Sequence, residues 1–245
     1  LGGVRASNLT AVIPDYSKEK LLIDADIKGP GKAVGPYFDE TPLKDSLGAT
    51  LQELQLDGDV NARLHLDIPL NGELVTAKGE VTLRNNSLFI KLLDSTLKNL
   101  SGKFSFINGD LQSEPLTASW FNQPLNVDFS TKEGAKAYQV AVNLNGNWQP
   151  AKTGVLPEAV NEALSGSVAW DGKVGIDLPY HAGATYNVEL NGDLKNVSSH
   201  LPSPLAKPAG EPLAVNVKVD GNLNSFELTV PSFLFGSILA IDSAD

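Results

Sequence analysis

The chain has 245 residues, 42% hydrophobic and 20% charged, a balance that suits a globular protein long enough for one large all-β domain or two of ordinary size. Its formal net charge of −10 supplies no basic footprint, which argues against a nucleic-acid partner and against a polybasic grip on anionic head groups. With no cysteine there is no disulfide framework, no thiol nucleophile and no Cys-ligated metal.

Taken in order, the first non-strand pattern is "TPLKDSLGATLQEL" (41–54). Leu43, Leu47, Leu51 and Leu54 fall at helical spacing, Thr41 suits a cap and Pro42 the first helical position. Period-two alternation follows. Leu64, Leu66 and Ile68 alternate with Arg63, His65 and Asp67, and the same beat returns at Val81/Leu83 and Phe104/Phe106. The stretch "LNVDFSTKEGAKAYQVAVNLNG" (125–146) reads as a hairpin. Leu125, Val127 and Phe129 lie on one arm; Val140, Val142 and Leu144 lie on the other.

A second helical stripe, Leu156, Val160 and Leu164, occupies "VLPEAVNEAL" (155–164) behind Pro157. Strands resume at Val174/Ile176 and Val188/Leu190. A proline-rich segment, "LPSPLAKPAGEP" (201–212), predicts an extended loop at a sheet edge. Val215, Val217 and Val219, then Leu228 and Val230, complete the series. The dipeptides Asn71-Gly72, Asn108-Gly109, Asp171-Gly172, Asn191-Gly192 and Asp220-Gly221 are expected to turn the chain between antiparallel strands. The longest apolar run, "FLFGSILAI" (233–241), is far short of the roughly 20 residues of a spanning helix.

The two helices sit in an internal repeat. Ile27-Lys28-Gly29 matches Leu144-Asn145-Gly146, and Gly58-Asp59-Val60 matches Gly166-Ser167-Val168. Ile68-Pro69-Leu70 matches Leu178-Pro179-Tyr180, and Gly79 falls on Gly192. The expected organisation is two β-groove units, residues 1–136 with a helix near 41–54 and residues 137–245 with a helix near 155–164. The fold class is mainly β, a long twisted antiparallel sheet with one short helix per repeat. A helix of about 12 residues is roughly 18 Å long and covers only part of the apolar face of about five strands. The uncovered remainder closes on a second sheet or stays open to a ligand such as an acyl chain. Periodicity alone leaves both open.

Chemical constellations are sparse. His65, His181 and His200 have no ligand spacing around them. Asp24/Asp26 and Asp57/Asp59 can line a strand face as acid pairs, although such residues usually mark a solvated surface. Trp120, Trp148 and Trp170 suit a sugar-stacking platform, although tryptophans so placed usually serve core or groove-rim packing. No nucleophile elbow, phosphate loop or dinucleotide fingerprint is present, so no enzyme and no cofactor is expected.

The run "LQLDGDVNARLHLDIPLNG", "GEVTLRNNSL", "LSGKFSFINGDL", "LTASWFNQPLNVDFST", "YQVAVNLNGNW" and "HLPSPLAKPAGEPLAVNVKVDG" resembles the AsmA-like family of Gram-negative bacteria, akin to the eukaryotic bridge-like lipid transfer proteins. The resemblance covers nearly the whole chain, which then reads as an internal fragment of a larger parent. It implies a periplasmic segment of a phospholipid bridge between inner and outer membranes, in a parent anchored in the inner membrane and serving outer-membrane biogenesis. Its partners would be phospholipid, adjacent repeats of the same chain, and membranes reached through regions outside this sequence. The apolar rows named above would bind lipid, with no metal and no catalytic residue. The alternative is a closed β-sandwich with a carbohydrate or protein ligand.

Overall fold

A chain that alternates apolar and polar residues over most of its length can satisfy its backbone only by pairing strands, and it does so almost throughout. The computed structural model describes residues 3–15, 17, 19–33, 48–222 and 224–229. Among these residues the strands are β1 (Arg5–Val12), β2 (Lys20–Pro30), β3 (Leu54–Asp57), β4 (Asp59–Pro69), β5 (Thr76–Ile90), β6 (Ser95–Ile107), β7 (Asp110–Ser113) and β8 (Leu116–Trp120). They continue with β9 (Gln123–Glu133), β10 (Ala137–Trp148), β11 (Leu164–Gly166), β12 (Val168–Pro179), β13 (Thr185–Asp193), β14 (Val197–Ser199), β15 (Ala214–Asn222) and β16 (Phe226–Thr229). Two short helices interrupt them, α1 (Ala49–Glu53) and α2 (Glu158–Ala163).

Fourteen strands form one sheet whose main path runs β1-β2-β4-β5-β6-β7-β9-β10-β12-β13-β15-β16, a meander; β3 pairs with β5, and β8 with β6 and β9. The remaining sheet is the small pair β11–β14. The fold is therefore mainly β, with few and short helices. No described helix is long and apolar enough to cross a membrane.

The chain divides into two compact units. One comprises residues 1–116 and 129–138, the other residues 117–128 and 139–245. In the first unit the buried residues gather at one end of the sheet. Val60, Leu83, Leu97, Leu100 and Leu116 are each at most 7% exposed. Asn86 is buried with them and fully bonded: its amide donates to the carbonyls of Asp57 and Asp59 at 3.0 and 3.1 Å and accepts from Arg84 N–H at 2.8 Å. A second buried network ties Tyr138 Oη to Gly109 O and Thr131 Oγ1, each at 2.8 Å.

Several sequence expectations need correction. Asn71-Gly72 and Asn108-Gly109 do lie in turns, but Asp171-Gly172, Asn191-Gly192 and Asp220-Gly221 lie inside β12, β13 and β15. These strand glycines make room for bulk across the ladder. A Cβ on Gly172 would lie 2.6 Å from Leu190, and one on Gly221 would lie 2.7 Å from the Tyr186 hydroxyl. The match of Gly79 to Gly192 also fails, since Gly79 lies near the start of β5 and Gly192 near the end of β13.

Gly58 and Gly166 do adopt the same positive φ, +94° and +97°, at the end of the short strand that follows a helix: Gly58 just after β3 and Gly166 as the last residue of β11. Of the helix expected at 41–54, the described part is Ala49–Glu53; Thr41, Pro42, Leu43 and Leu47 lie outside the described residues, as do Val230 and the run 233–241. The proline-rich loop is not merely extended. It folds back, and Lys207 and Ser199 exchange backbone hydrogen bonds at 2.8 and 2.9 Å.

Candidate functional site

Residues directly opposite each other in an antiparallel ladder project to the same face. In the first unit this places the expected apolar rows together. Leu21 pairs with Ile68, Ile23 with Leu66, Ala25 with Leu64 and Ile27 with Ala62. Across the next ladders Leu64 faces Gly79, which faces Phe106, and Ala62 faces Val81, which faces Phe104. Leu83 joins this face through Val60. Phe129 packs against Phe104 with ring centroids 5.6 Å apart. Gly79 leaves room for its neighbours: a Cβ there would run into Arg63 O and stand 2.8 Å from the Phe106 ring.

The second unit repeats the arrangement. Val174 pairs with Val188, Val188 with Val219 and Val219 with Leu228; Leu190 pairs with Val217, and Gly192 with Val215. Ile176 pairs with Tyr186. The amides of Asn126 and Asn143 donate to Asn145 and Asp128 at 2.9 and 2.7 Å, and Gln139 donates to Asp177 at 2.8 Å. These polar side chains share one face, so Leu125, Val127, Val140, Val142 and Leu144 lie on the other, with Val174 and Ile176.

The exposure of these side chains is the informative quantity. Leu83, Leu125, Val127 and Val140 are buried. The other expected lining residues within the described chain are half-buried, from Leu64, Leu66 and Phe106 to Val142, Val217 and Leu228. A sealed sandwich buries its inward rows. Here the apolar face keeps contact with solvent.

The opposite face is a mosaic of charge pairs. His65 Nδ1 lies 2.8 Å from Asp24, Arg63 lies 3.7 Å from Asp26, and Lys218 lies 3.8 Å from Glu189. Lys103 donates to Glu80 at 2.8 Å, and that hydrogen bond raises the lysine pKa. Asp26 also accepts from Asn8 at 2.7 Å, so the Asp24/Asp26 pair is engaged in strand-to-strand bonding. His181 and His200 are exposed and far along the chain from this pairing. Among the described residues no three His, Asp or Glu side chains converge to hold a metal.

Two groups escaped the sequence reading. Leu21, Ile23, Ala25 and Ile27 of β2 extend the apolar face. Their signal was the same alternation, in "LLIDADIKG", where the aspartates drew attention instead. The second is an aromatic cluster in the second unit. Trp120 stacks on Phe121 at 4.8 Å; Trp148 meets both at 6.3 Å and meets Trp170 edge-on at 4.7 Å. The three tryptophans were expected as a set, but Phe121 was not. Trp170 continues the apolar row of β12, facing Gly192.

Comparison with known proteins gives one family: YhdP protein, matched over residues 1–236. A curated relative, the intermembrane phospholipid transporter YhdP of Escherichia coli (strain K12), is 99% identical over 229 residues. That match covers 94% of this chain and 18% of the relative, so the chain spans under a fifth of that protein's length. No solved structure matches the chain.

Proposed function

The chain belongs to the YhdP family, and on that premise we propose that it is a periplasmic section of a bridge-like transfer protein carrying phospholipid between inner and outer membranes. Residues 1–136 and 137–245 act as two successive β-groove copies. Acyl chains lie on the apolar sheet face, and head groups stay near water. The parent's inner-membrane anchor and its membrane contacts belong to regions outside this sequence. The work is binding and passage, with no bond made or broken.

One observation carries this reading: in each unit the apolar residues share a face and most remain half-buried. Each methylene removed from water is worth about 0.8 kcal/mol, so a chain of about sixteen carbons gains roughly 13 kcal/mol at most. That attraction has no direction and depends on no single residue. A lipid can therefore shift along the face without breaking a specific bond at each step. Side chains such as Val, Leu and Phe suit this better than any fixed polar subsite.

The test is organic extraction of the purified chain followed by mass spectrometry. Phospholipid is expected in the extract. Val217→Asp puts a charge on the apolar face opposite Leu190 and should remove most of it. Lys218→Ala, on the other face of the same strand, should not. An extract without phospholipid, or one unchanged by several such charges, would return the protein to the class of closed β modules.

A further inference from the structure

We infer that the aromatic cluster of the second unit is the station that holds the glycerol-ester end of a bound diacyl phospholipid, with Trp170 Nε1–H as the donor to an ester carbonyl. This rests on the proposed lipid-carrying role and says where along the strands the lipid's polar end lies.

Three observations point there. First, Trp170 Nε1 is sealed from water and has no hydrogen-bond partner, whereas Trp148 Nε1 donates to Pro124 O at 2.6 Å. A buried donor without an acceptor is costly to keep. No atom the size of a water oxygen touches it while the ring stays in place, so the acceptor arrives with a turn of the half-buried ring, and one attached to a hydrocarbon chain suits the apolar surroundings. An ester carbonyl sits at that junction, as tryptophan itself does in membranes.

Second, an apolar row leads away from the ring. From Trp170 the same strand face continues through Gly172 and Val174 to Ile176, six residues or about 20 Å at the usual strand rise. Half of a roughly 30 Å hydrocarbon core, about 15 Å, is the depth of one acyl chain. A lipid anchored by its ester at Trp170 therefore has room to lay one chain across the sheet.

Third, the cluster is held in a strained form. Phe121 and Asn122 make the two-residue turn between β8 and β9 with φ of +47° and +58°. Asparagine and glycine adopt that conformation readily; a bulky phenylalanine rarely does. Phe121 keeps it while stacked on Trp120 and edge-on to Trp148. A residue that costs strain and supplies a half-buried ring is explained by what the ring contacts.

The chain holds only three tryptophans, all in this cluster, so intrinsic fluorescence reports on this site alone. The full chain is loaded with phosphatidylethanolamine brominated either next to the ester or near the methyl end of its chains. Loading is measured separately by extraction and mass spectrometry. Equal loading with stronger quenching by the ester-side bromines is expected. Trp170→Phe should weaken lipid binding about fivefold. Phe121→Asn should keep or raise the melting temperature and lose the ester-side preference. Equal loading with methyl-end quenching, or with none, would overturn the inference and leave the lipid-carrying role standing. A tryptophan spectral change with a soluble oligosaccharide in place of lipid would also overturn it. No loading at all would remove both readings.

Discussion

Each of the two units interrupts a long strand, by different chemistry. In the first, β5 is broken by a bulge between Leu83 and Asn86, with Asn85 at φ +53° and Asn86 buried. The strand then continues and pairs with β3 on one side and β6 on the other. In the second, β13 stops at Asp193, whose carboxylate accepts from Lys195 and Leu213 N–H at 2.9 and 3.2 Å around a single 3-10 turn. The continuation, β14, leaves the large sheet and pairs with β11 instead. Past the bulge β5 stays paired with the start of β6, whereas β13 pairs with β15 only up to Asp193 and the proline-rich loop flanks β14 through Ser199 and Lys207. Lys207 from that loop donates its ammonium to the carbonyls of Leu194, Val197 and Pro208 at 2.9, 3.0 and 3.2 Å. Backbone carbonyls at a strand end need a partner. A neighbouring strand supplies it in one unit and a cation in the other.

The largest expected effect breaks the apolar side of this contrast. Leu116 is 1% exposed and packs on Gly102, where a Cβ would lie 2.5 Å from its side chain. Leu116→Ala should cost about 3–4 kcal/mol, read from urea unfolding by far-ultraviolet circular dichroism. Next is the buried amide. Asn86→Ala leaves the Asp57 and Asp59 carbonyls short of a donor and should cost about 2–3 kcal/mol in the same assay.

On the second unit's side, Lys207→Met should cost about 1–2 kcal/mol, because the site is partly open and water replaces some of the lost bonds. Tryptophan fluorescence follows this variant directly, since all three rings belong to that unit. If Lys207→Met is silent while Asn86→Ala is not, the cation is an ornament and the loop holds itself.

The smallest effect is electrostatic. Burial alone would raise the Asp110 pKa, but the Glu133 N–H at 2.7 Å and the Lys132 ammonium outweigh it and hold the carboxyl below the usual range. A lowered folded-state pKa adds stability above the unfolded value, about 3.9, and that contribution is lost as pH falls through the folded value. Asp110→Asn should therefore lower stability slightly at neutral pH, where the carboxylate contributes, leave it nearly unchanged in strong acid, and so flatten the acid limb of the stability profile below about pH 4.

Which side chains share the apolar face was legible in the sequence alone. Leu64, Val81, Phe104, Val174, Val188 and Val217 alternate with polar neighbours, and alternation fixes which side chains share a strand face whatever the strand pairs with. The turns were less legible. Asp171-Gly172 and Asn71-Gly72 look alike in sequence, yet one lies mid-strand because Leu190 needs the space above it. The β2 rows were missed because a pair of aspartates on the wet face was weighed as chemistry.

The sequence by itself determined the sidedness of this protein, because a period of two is a property of each strand alone. Only the tertiary structure decided that the apolar side stays half-open, that the two units satisfy their strand ends with different partners, and that Phe121 joins three tryptophans scattered over fifty residues of chain. Those outcomes depend on which segments meet across the ladders, and the registers that bring them together are set by bulges, glycines and loops far apart in the chain.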